Sequence, residues 1–418
     1  MIDERSVDER ISAWLFEEAP NELPDRTLAA VFERTRVSGQ HRRLAGWRLP
    51  ARPRLVWLLV VLALMVALAA GLLVIGSRPF HLTETGPGRS GLVVFDANWQ
   101  IVVQNPDGTG RRELTAGSND FWPTWSPDGT KVAFYRASTT ADFLHGASVW
   151  IANADGSDAR NVTDPVAVDL LDEWRPTWAP TGDRIAFASG SEVDSSLYVA
   201  GLDGAPPRLL VGTDFAPSSP VWAPDEKSIA MRAGRYDDER GVYLVNPDGS
   251  GLHRVTTRTH QRKGDSVPAW SPDGSTLVFH AGDPGMHHIW VVNHDGSGER
   301  QLTDAPFPVE ELWPAWSPDG RWIAFSRLDH QEFTTTVMVM RSDGTGARSI
   351  SSGAASGQPV SWSADGTQIL ISICAQSDCD GGDALWEIVA LDPSGVGKPL
   401  HIGFERGLGL LSWQRLPP

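Results

Sequence analysis

The sequence of 418 residues predicts an all-β protein: a seven-bladed β-propeller preceded by a single transmembrane helix and a short helical N-terminal tail. Two observations predict this organisation. A Pro-x-Trp-Ser-Pro-Asp-Gly motif recurs at a period near 40–50 residues, which is typical of propeller blades. A run of 22 residues without charge, 55–76, is long enough to cross a bilayer.

Residues 1–54 are predicted to be a cytoplasmic tail with two short helices followed by an Arg-rich stretch. Val7, Ile11, Trp14 and Leu15 fall on one face of the first helix. From residue 34 to residue 54 there are seven Arg and no acidic residue. Two interpretations stay open for the tail, a weakly folded segment or a helix pair that docks a cytoplasmic partner.

The apolar run from Leu55 to Gly76 predicts an uncleaved membrane anchor. A cleaved signal peptide would have a shorter apolar core close to the N-terminus, whereas more than fifty residues precede this run. The Arg excess lies on its N-terminal side, so the positive-inside rule places the tail in the cytoplasm and the rest outside. The predicted location is therefore the cell membrane, single-pass, with the propeller extracytoplasmic. Residues 77–90 are a polar linker.

Residues 91–418 are predicted to form the propeller. Each repeat has four strands, A to D: A carries the Trp, B is an apolar triplet, C has an Ile-Trp-Val pattern and D ends in Leu-Thr or Val-Thr. The first repeat lacks strand A, and the chain ends on an isolated strand A. Pairing these two fragments would close the ring and remove both exposed sheet edges. This count favours seven blades, with six or eight as the alternatives. The proposed structural anchors of the repeat are Trp125, Trp178, Trp222, Trp270, Trp316, Trp362 and Trp413, at steps of 53, 44, 48, 46, 46 and 51.

The turns of the repeat have their own chemistry. Ser-Pro-Asp-Gly joins strands A and B, and Asn-x-Asp-Gly-Ser/Thr joins strands C and D. Both favour tight turns, since Pro presets φ and Gly accepts a positive φ. We therefore expect the repeated Asp residues to bond their own backbone. The Asn-x-Asp-Gly-Ser spacing also lacks the alternating acids and distal Glu of a calcium loop.

Taken in order, these motifs make residues 91–418 resemble the repeat of TolB-type β-propellers. The resemblance implies a bacterial extracytoplasmic propeller that binds proteins or small ligands. The same repeat also precedes the catalytic domain of prolyl-oligopeptidase-like peptidases. Residues 1–76 resemble the tail and single span of membrane-bound anti-sigma regulators, but residues 1–50 contain no Cys and only His41, so that family's zinc pattern is absent.

The long, irregular connections all belong to the B–C and D–A loops, which share one face of the predicted disc. Function usually lies on variable loops held by a rigid scaffold. Aromatic residues and acids occur together just before strand A. They could grip a cationic, peptide or sugar ligand, or they could pack between blades. The candidate ligand-binding residues are Trp122, Trp174, Trp313, Asp120, Glu173 and Glu311.

Other reactive side chains give weaker patterns. His287 and His288 with Asp283, and His330 with Asp329 and Glu332, lie in B–C loops without the fixed spacing of a zinc site, so we expect solvated loop residues and no metal or cofactor. Cys374 and Cys379 flank one B–C loop. An oxidising compartment would allow a disulfide between them if the loop brings their Cα atoms within roughly 4.4–6.8 Å.

A net charge of −16 argues against nucleic acid as a partner. The chain also lacks a Gly-x-Ser-x-Gly nucleophile elbow, a phosphate-binding loop and a His-Glu-x-x-His motif. The sequence thus predicts a membrane-anchored, non-catalytic binding or sensor module for a protein or small ligand. The alternatives are a lactonase- or lyase-like propeller enzyme with its site at the channel mouth, and a passive envelope scaffold.

Overall fold

The structure, a computed structural model, describes residues 89–416 except 117–118, 138–145, 165–174, 192–193, 236–239, 257–267, 284, 333, 352–360, 375–384, 392, 394–399 and 407–410. These residues belong to the second of two units into which the chain divides, His81–Pro418. The predicted tail, membrane span and nearly all of the linker lie outside the described residues.

The described strands follow one another in groups of four, as the repeat predicts. The first three are β1 (Arg89–Ala97), β2 (Gln100–Gln104) and β3 (Arg112–Glu113). They are followed by β4 (Asn119–Trp125), β5 (Lys131–Ala137), β6 (Ser148–Asn153) and β7 (Arg160–Asn161). The next group is β8 (Thr177–Trp178), β9 (Arg184–Ser189), β10 (Ser196–Gly201) and β11 (Arg208–Val211). A 3-10 helix, Thr213–Phe215, precedes β12 (Ser218–Trp222), β13 (Ile229–Ala233), β14 (Gly241–Val245) and β15 (His253–Arg254).

The second half of the ring repeats the pattern. It begins with β16 (Ala269–Trp270), β17 (Thr276–Asp283), β18 (Met286–Asn293) and β19 (Arg300–Gln301). Then come β20 (Val309–Trp316), β21 (Trp322–Asp329), β22 (Thr334–Arg341) and β23 (Arg348–Ser349). The last strands are β24 (Ser361–Trp362), β25 (Ile369–Cys374), β26 (Leu385–Leu391), β27 (Leu400–Arg406) and β28 (Ser412–Leu416).

The strands form seven four-stranded antiparallel sheets, and each sheet is one blade. Blade 1 has the order β28-β1-β2-β3, so the last strand of the chain pairs with the first. Blades 2 to 7 contain β4–β7, β8–β11, β12–β15, β16–β19, β20–β23 and β24–β27. The A strand of every blade therefore lies in a complete four-stranded sheet. The ring closes without an incomplete sheet that could pair with a strand of another molecule.

The A strands line the axis of the ring. β28 contacts β4, β8 contacts β12, β12 contacts β16, β16 contacts β20, β20 contacts β24, and β24 contacts β28. The D strands form the outer edges of the blades, and two of them, β3 and β19, are two residues long and exposed. Gln414 on β28 strengthens the closure, because its Oε1 accepts the Leu92 N–H at 2.9 Å and its Nε2 donates to the Gly129 carbonyl at 2.7 Å.

The core is divided among the blade interfaces. Seven buried apolar clusters are present, and each draws residues from two adjacent blades. One joins Phe121 and Tyr135 of blade 2 to Trp178 and Phe187 of blade 3. The B strands are buried on both faces, which explains why they read as continuous apolar triplets rather than alternating patterns.

The repeat Trp residues pack at these interfaces. Four of them also donate an indole hydrogen bond to a backbone carbonyl of the preceding blade. The indole Nε1 of Trp178 donates to the Thr124 carbonyl at 3.2 Å, one position before the Trp of the preceding blade. The same bond recurs from Trp270 to Val221, from Trp362 to Ala315 and from Trp413 to Ser361. The indole nitrogens of Trp125, Trp222 and Trp316 are buried without a partner.

The predicted fold class needs correction in its helical part. In the part of the chain that the structure describes, the only helical element is the three-residue 3-10 turn, and no helix is long and apolar enough to cross a membrane. Residues 1–54 and 55–76, on which the helical tail and the membrane span were predicted, lie outside it. For the described residues we therefore correct the fold class to an all-β propeller with no membrane-spanning helix among them, and we withdraw the prediction of a single-pass location with a cytoplasmic N-terminus.

Candidate functional site

The two faces of the ring have different chemistry. We call the face that carries the A–B and C–D turns the turn face, and the face that carries the B–C and D–A connections the loop face. Among the described residues, the turn face repeats one short design in most blades. The loop face differs from blade to blade.

Carboxylates on the turn face are used within their own turns. Asp273 Oδ1 accepts hydrogen bonds from Ser271 Oγ at 2.5 Å and from the Ser275 N–H at 3.0 Å. The Ser271 bond, opposed by burial and supported by the Ser275 bonds, lowers the pKa of Asp273. Gly274 closes the turn at a φ of 71°, a conformation that glycine accepts without strain. These Asp residues are turn formers, as their spacing predicts.

A cleft of about 710 Å³ opens on the turn face between blades 5 and 6. Asp273, Asp319 and Asp343 line it with Arg300 and Trp316. Each of the three carboxylates already accepts bonds from Ser or Thr hydroxyls of its own turn. Arg300 donates to the Asp343 carbonyl. The cleft therefore offers a ligand few polar groups that are not already satisfied.

On the loop face, blade 2 carries an acid–arginine pair beside Trp122. Asp120 on β4 and Arg136 on β5 are directly opposite in the strand register. Arg136 holds the carboxylate through Nε at 2.6 Å and a terminal nitrogen at 2.9 Å. The Asp120 side chain is fully buried, and that of Arg136 is 24% exposed with its guanidinium 4.1 Å from the Trp150 ring. The arginine, and not the acid, faces solvent here.

Blade 6 repeats this arrangement. Glu311 on β20 lies opposite Arg327 on β21, and the Arg327 guanidinium donates to Glu311 Oε1 at 2.7 Å. Glu311 is fully buried, while the Arg327 side chain is 34% exposed. His288 Nδ1 lies 3.3 Å from the other carboxylate oxygen. As in blade 2, the predicted acid serves to hold a basic side chain.

Trp122 and Trp313 occupy matched bulges in these two blades. Both precede a Pro, both are half-buried, and both have a positive φ, 52° and 51°. Each backbone N–H donates to a side chain of the preceding blade: Trp122 to Asp96 and Trp313 to His280, both at 3.1 Å. Ser219 in blade 4 has the same bulge with a φ of 50°. The bulge therefore does not require a tryptophan.

Glu310 connects three segments at the junction of blades 5 and 6. Its Oε1 accepts the Gly285 N–H at 2.6 Å and faces His287 Nδ1 at 2.7 Å, and its Oε2 faces His330 Nε2 at 2.8 Å. Burial opposes ionisation, but the hydrogen bonds from the two imidazoles, the charge of His287 and the Gly285 bond outweigh it and lower the pKa of Glu310 to about 2. The carboxylate thus ties β20 to the β17–β18 and β21–β22 hairpins.

The histidines of this junction form hydrogen bonds with neighbouring groups. Within the described ranges, no group of three or more His, Cys, Asp or Glu side chains is arranged to hold a metal ion. His280 lies next to His287, with ring centroids 5.3 Å apart. However, the Trp313 N–H donates to His280 Nδ1, so the proton of a neutral His280 is on Nε2 and that nitrogen has no free lone pair for a metal.

The structure brings together part of the predicted site. Asp120 and Trp122 lie in blade 2, and Glu311 and Trp313 lie in blade 6. The candidates Glu173, Trp174 and Cys379 lie outside the described residues, and Cys374 ends β25. Sequence reasoning missed Arg136, Arg327 and the role of Glu310. A spacing of 16 residues separates acid and arginine in both pairs, and this repeated spacing is the signal that could have found them.

The described residues form seven four-stranded sheets in a closed ring, with Trp residues as repeat anchors. This arrangement defines a β-propeller built from sequence repeats. The sequence profile of the TolB beta propeller domain matches residues 146–390, more than half of the chain. The chain belongs to the TolB beta propeller domain family, and the resemblance drawn from the motifs is thereby confirmed.

Curated relatives match only part of their length. The "Uncharacterized peptidase YuxL" of Bacillus subtilis is 27% identical over 38% of this chain and 29% of its own length. The "Tol-Pal system protein TolB" of Anaeromyxobacter dehalogenans is 33% identical over 40% of this chain and 37% of its own length. The chain therefore spans well under half of either protein. A solved prolyl endopeptidase has a TM-score of 0.55 at 13% identity, covering 82% of this chain and 54% of that one, and shows the shared fold.

These comparisons correct one prediction. The sequence motifs led us to expect that the protein is not an enzyme. A matching relative is named as a peptidase and a solved structure with the same fold is a prolyl endopeptidase, so absence of catalytic motifs in this chain no longer supports that exclusion.

Proposed function

We propose that this propeller is a binding module that engages a protein or peptide partner through its loop face. One observation carries the proposal. Four of the five large apolar side chains that are exposed among the described residues lie on that face, and the fifth, Leu209, lies in an outer strand. The four are Trp99, Phe215, Met286 and Phe307, at 39%, 40%, 41% and 72% exposure. Exposed large apolar groups on the loop face, with none among the described residues of the turn face, support the loop face as the interaction surface.

The matched Trp residues support the same face. A non-glycine residue with a positive φ costs about 1–3 kcal/mol, and such strain concentrates at functional sites. The bulge is compatible with a serine, as Ser219 demonstrates. The Trp122 indole packs against the buried cluster between blades 2 and 3 and contacts the rings of Phe121 and Tyr135. Because Trp122 and Trp313 are only half-buried, the rest of each indole is a suitable contact for a partner.

Beside Trp122 and Trp313, the polar groups that face solvent come from arginine. Asp120 and Glu311 are fully buried in ion pairs, so they hold Arg136 and Arg327 in position and do not touch a partner. Guanidinium groups fixed in this way bind carboxylates and peptide carbonyls. The ligand expected beside Trp122 and Trp313 thus presents acceptor groups and an apolar face, whereas the sequence alone left a cationic, peptide or sugar ligand open.

A crosslinking experiment on intact cells tests the proposal. A photoreactive amino acid placed at Phe215 on the loop face should yield a defined crosslinked partner, which the full-length protein then binds in purified form. The double variant Trp122→Ser, Trp313→Ser keeps the bulge that Ser219 occupies in blade 4 and should weaken that binding by about tenfold or more.

Trp322 provides the control. It is a half-buried tryptophan at the turn-face end of β21, and Trp322→Ser should leave binding unchanged. Equal binding by the double variant and the wild type, or an equal loss in Trp322→Ser, would contradict the assignment of the partner to the loop face.

A further inference from the structure

Among the loop-face hairpins, the junction of blades 5 and 6 combines apolar and acidic side chains in one place. Phe307 is the most exposed large apolar residue of those that the structure describes, at 72%. It lies at the tip of a turn closed by the Val309 N–H and the Pro306 carbonyl, 3.1 Å apart. A Cβ on Gly285 would lie 3.9 Å from the Phe307 ring, so the ring sits against the tip of the β17–β18 hairpin. Met286, 41% exposed, is the next residue of that hairpin.

This apolar pair is held on a rigid support. The Glu310 carboxylate binds Gly285 and His287 of one hairpin and His330 of the next, and the His330 N–H also donates to the Pro308 carbonyl at 3.1 Å. Both hairpins and the turn that carries Phe307 are thereby fixed to one buried side chain. A pre-positioned aromatic loses little conformational freedom when it binds, which is a feature of binding hot spots.

Three exposed acids lie on the segments that meet at this junction. Asp283 is the cross-strand partner of Met286, Asp304 precedes Phe307 by three residues, and Glu332 follows His330 by two. None of the three forms an ion pair with any residue in the part of the chain that the structure describes. Unlike Asp120 and Glu311, these carboxylates face solvent and are available to a partner. We call Asp283, Met286, Asp304, Phe307 and Glu332 the acidic–apolar corner.

We propose that the acidic–apolar corner binds a peptide segment of another protein in which an apolar side chain is flanked by Lys or Arg. The inference rests on the proposed function, since it assigns a partner chemistry to one part of the same face. Phe307 and Met286 supply the apolar contact, and the three carboxylates select basic flanks and speed association through long-range attraction. A second copy of this chain is disfavoured, because a symmetric contact would place like charges opposite one another on a protein of net charge −16.

Peptides of defined sequence test the corner with the full-length protein. Fluorescence anisotropy is measured with a fluorescein-labelled peptide Gly-Lys-Lys-Leu-Phe-Lys-Lys-Gly, with its Lys→Glu counterpart, and with a peptide that keeps Lys but has Ser at both apolar positions. The first should bind about tenfold or more tightly than either of the others. The affinity of this first peptide should fall as salt rises from 50 to 500 mM, because salt screens the attraction between exposed charges.

Variants then locate the contact. Phe307→Ser should weaken binding of the basic peptide about tenfold, and the triple variant Asp283→Asn, Asp304→Asn, Glu332→Gln should weaken it and flatten its salt dependence. Leu209→Ser removes an apolar side chain of comparable exposure, 53%, from outside the corner and should have no effect.

Several outcomes would overturn the inference. These are no binding of the basic peptide to the wild-type protein, equal binding of the acidic peptide, and equal losses in Phe307→Ser and Leu209→Ser. Sedimentation that reveals a dimer abolished by Phe307→Ser would identify a second copy as the occupant and would also refute it. If the Trp122→Ser, Trp313→Ser double variant loses binding of the crosslinked partner but Phe307→Ser keeps it, the partner binds the loop face and only the assignment to the acidic–apolar corner fails.

Discussion

The interblade hydrogen bonds of the repeat Trp residues predict a measurable difference between two otherwise equivalent positions. Trp270 and Trp222 are both more than nine-tenths buried at successive blade interfaces. The Trp270 indole donates to the Val221 carbonyl, whereas the Trp222 indole nitrogen is buried without a partner. Substitution by Phe removes the same atoms at both positions, so the loss of packing is shared and cancels in the comparison.

The remaining difference comes from hydrogen bonding. Trp270→Phe loses one net hydrogen bond, about 1 kcal/mol, and leaves the Val221 carbonyl without that donor. Trp222→Phe removes a buried, unpaired N–H whose desolvation costs about 1–3 kcal/mol. Trp270→Phe should therefore be more destabilising than Trp222→Phe by about 2 kcal/mol or more.

Urea unfolding of the full-length protein, followed by far-UV circular dichroism, measures this difference in the free energy of unfolding. The variants are compared with the same slope of free energy against urea concentration. The pair Trp178→Phe and Trp125→Phe repeats the comparison at another pair of interfaces, bonded and unbonded respectively. Equal losses within each pair, or larger losses at the unbonded positions, would refute the reasoning that the indole bonds contribute to the stability of the ring.

Three further predictions concern single residues. Glu310→Gln should destabilise the fold by about 1–2 kcal/mol at pH 7. A carboxyl with a lowered pKa contributes its full stability above its ordinary pKa of 4.5 and loses it as pH falls towards 2, so the difference in stability between wild type and variant should shrink over this range in pH-dependent unfolding curves. Asp273→Asn should likewise make the decline in the free energy of unfolding below pH 3.8 less steep. The same decline in variant and wild type would contradict the turn bonds assigned to Asp273. Gly129 and Gly182 share a turn position and φ values of 69° and 73°, so an Ala costs about 1–2 kcal/mol at both. Only at Gly129 would the new Cβ meet the Arg415 carbonyl oxygen, so Gly129→Ala should in addition accelerate amide exchange in β28, and equal exchange in both variants would refute this.

The sequence predicted the candidate site from loop irregularity and from the Trp residues before strand A. The structure places Trp122 and Trp313 on the loop face, and their role in binding stays a prediction. Asp120 and Glu311 were expected to meet a ligand, yet both lie buried against Arg136 and Arg327. The sequence places these partners 16 residues apart, and only the register of the A and B strands brings them face to face.

The Glu310 junction was beyond sequence reasoning for a related reason. His287, Glu310 and His330 belong to two blades and are 20 to 23 residues apart. No spacing rule links them, since their contact depends on how blade 5 packs against blade 6. For the same reason the histidines were expected to be solvated loop residues, although His287 is in fact buried.

By itself the sequence determined the repeating unit of this protein: the Trp-anchored strand, the apolar triplet, the Asp-Gly turns and the C-terminal strand that completes the first blade. These features are local or strictly periodic, so short-range propensity and repetition specify them. Only the tertiary structure decided which acids are buried in ion pairs, which acids at the acidic–apolar corner have no ion pair with a described residue, and which aromatic side chains stay exposed. Burial and charge pairing are set by contacts between blades, and those contacts exist only once the ring has closed.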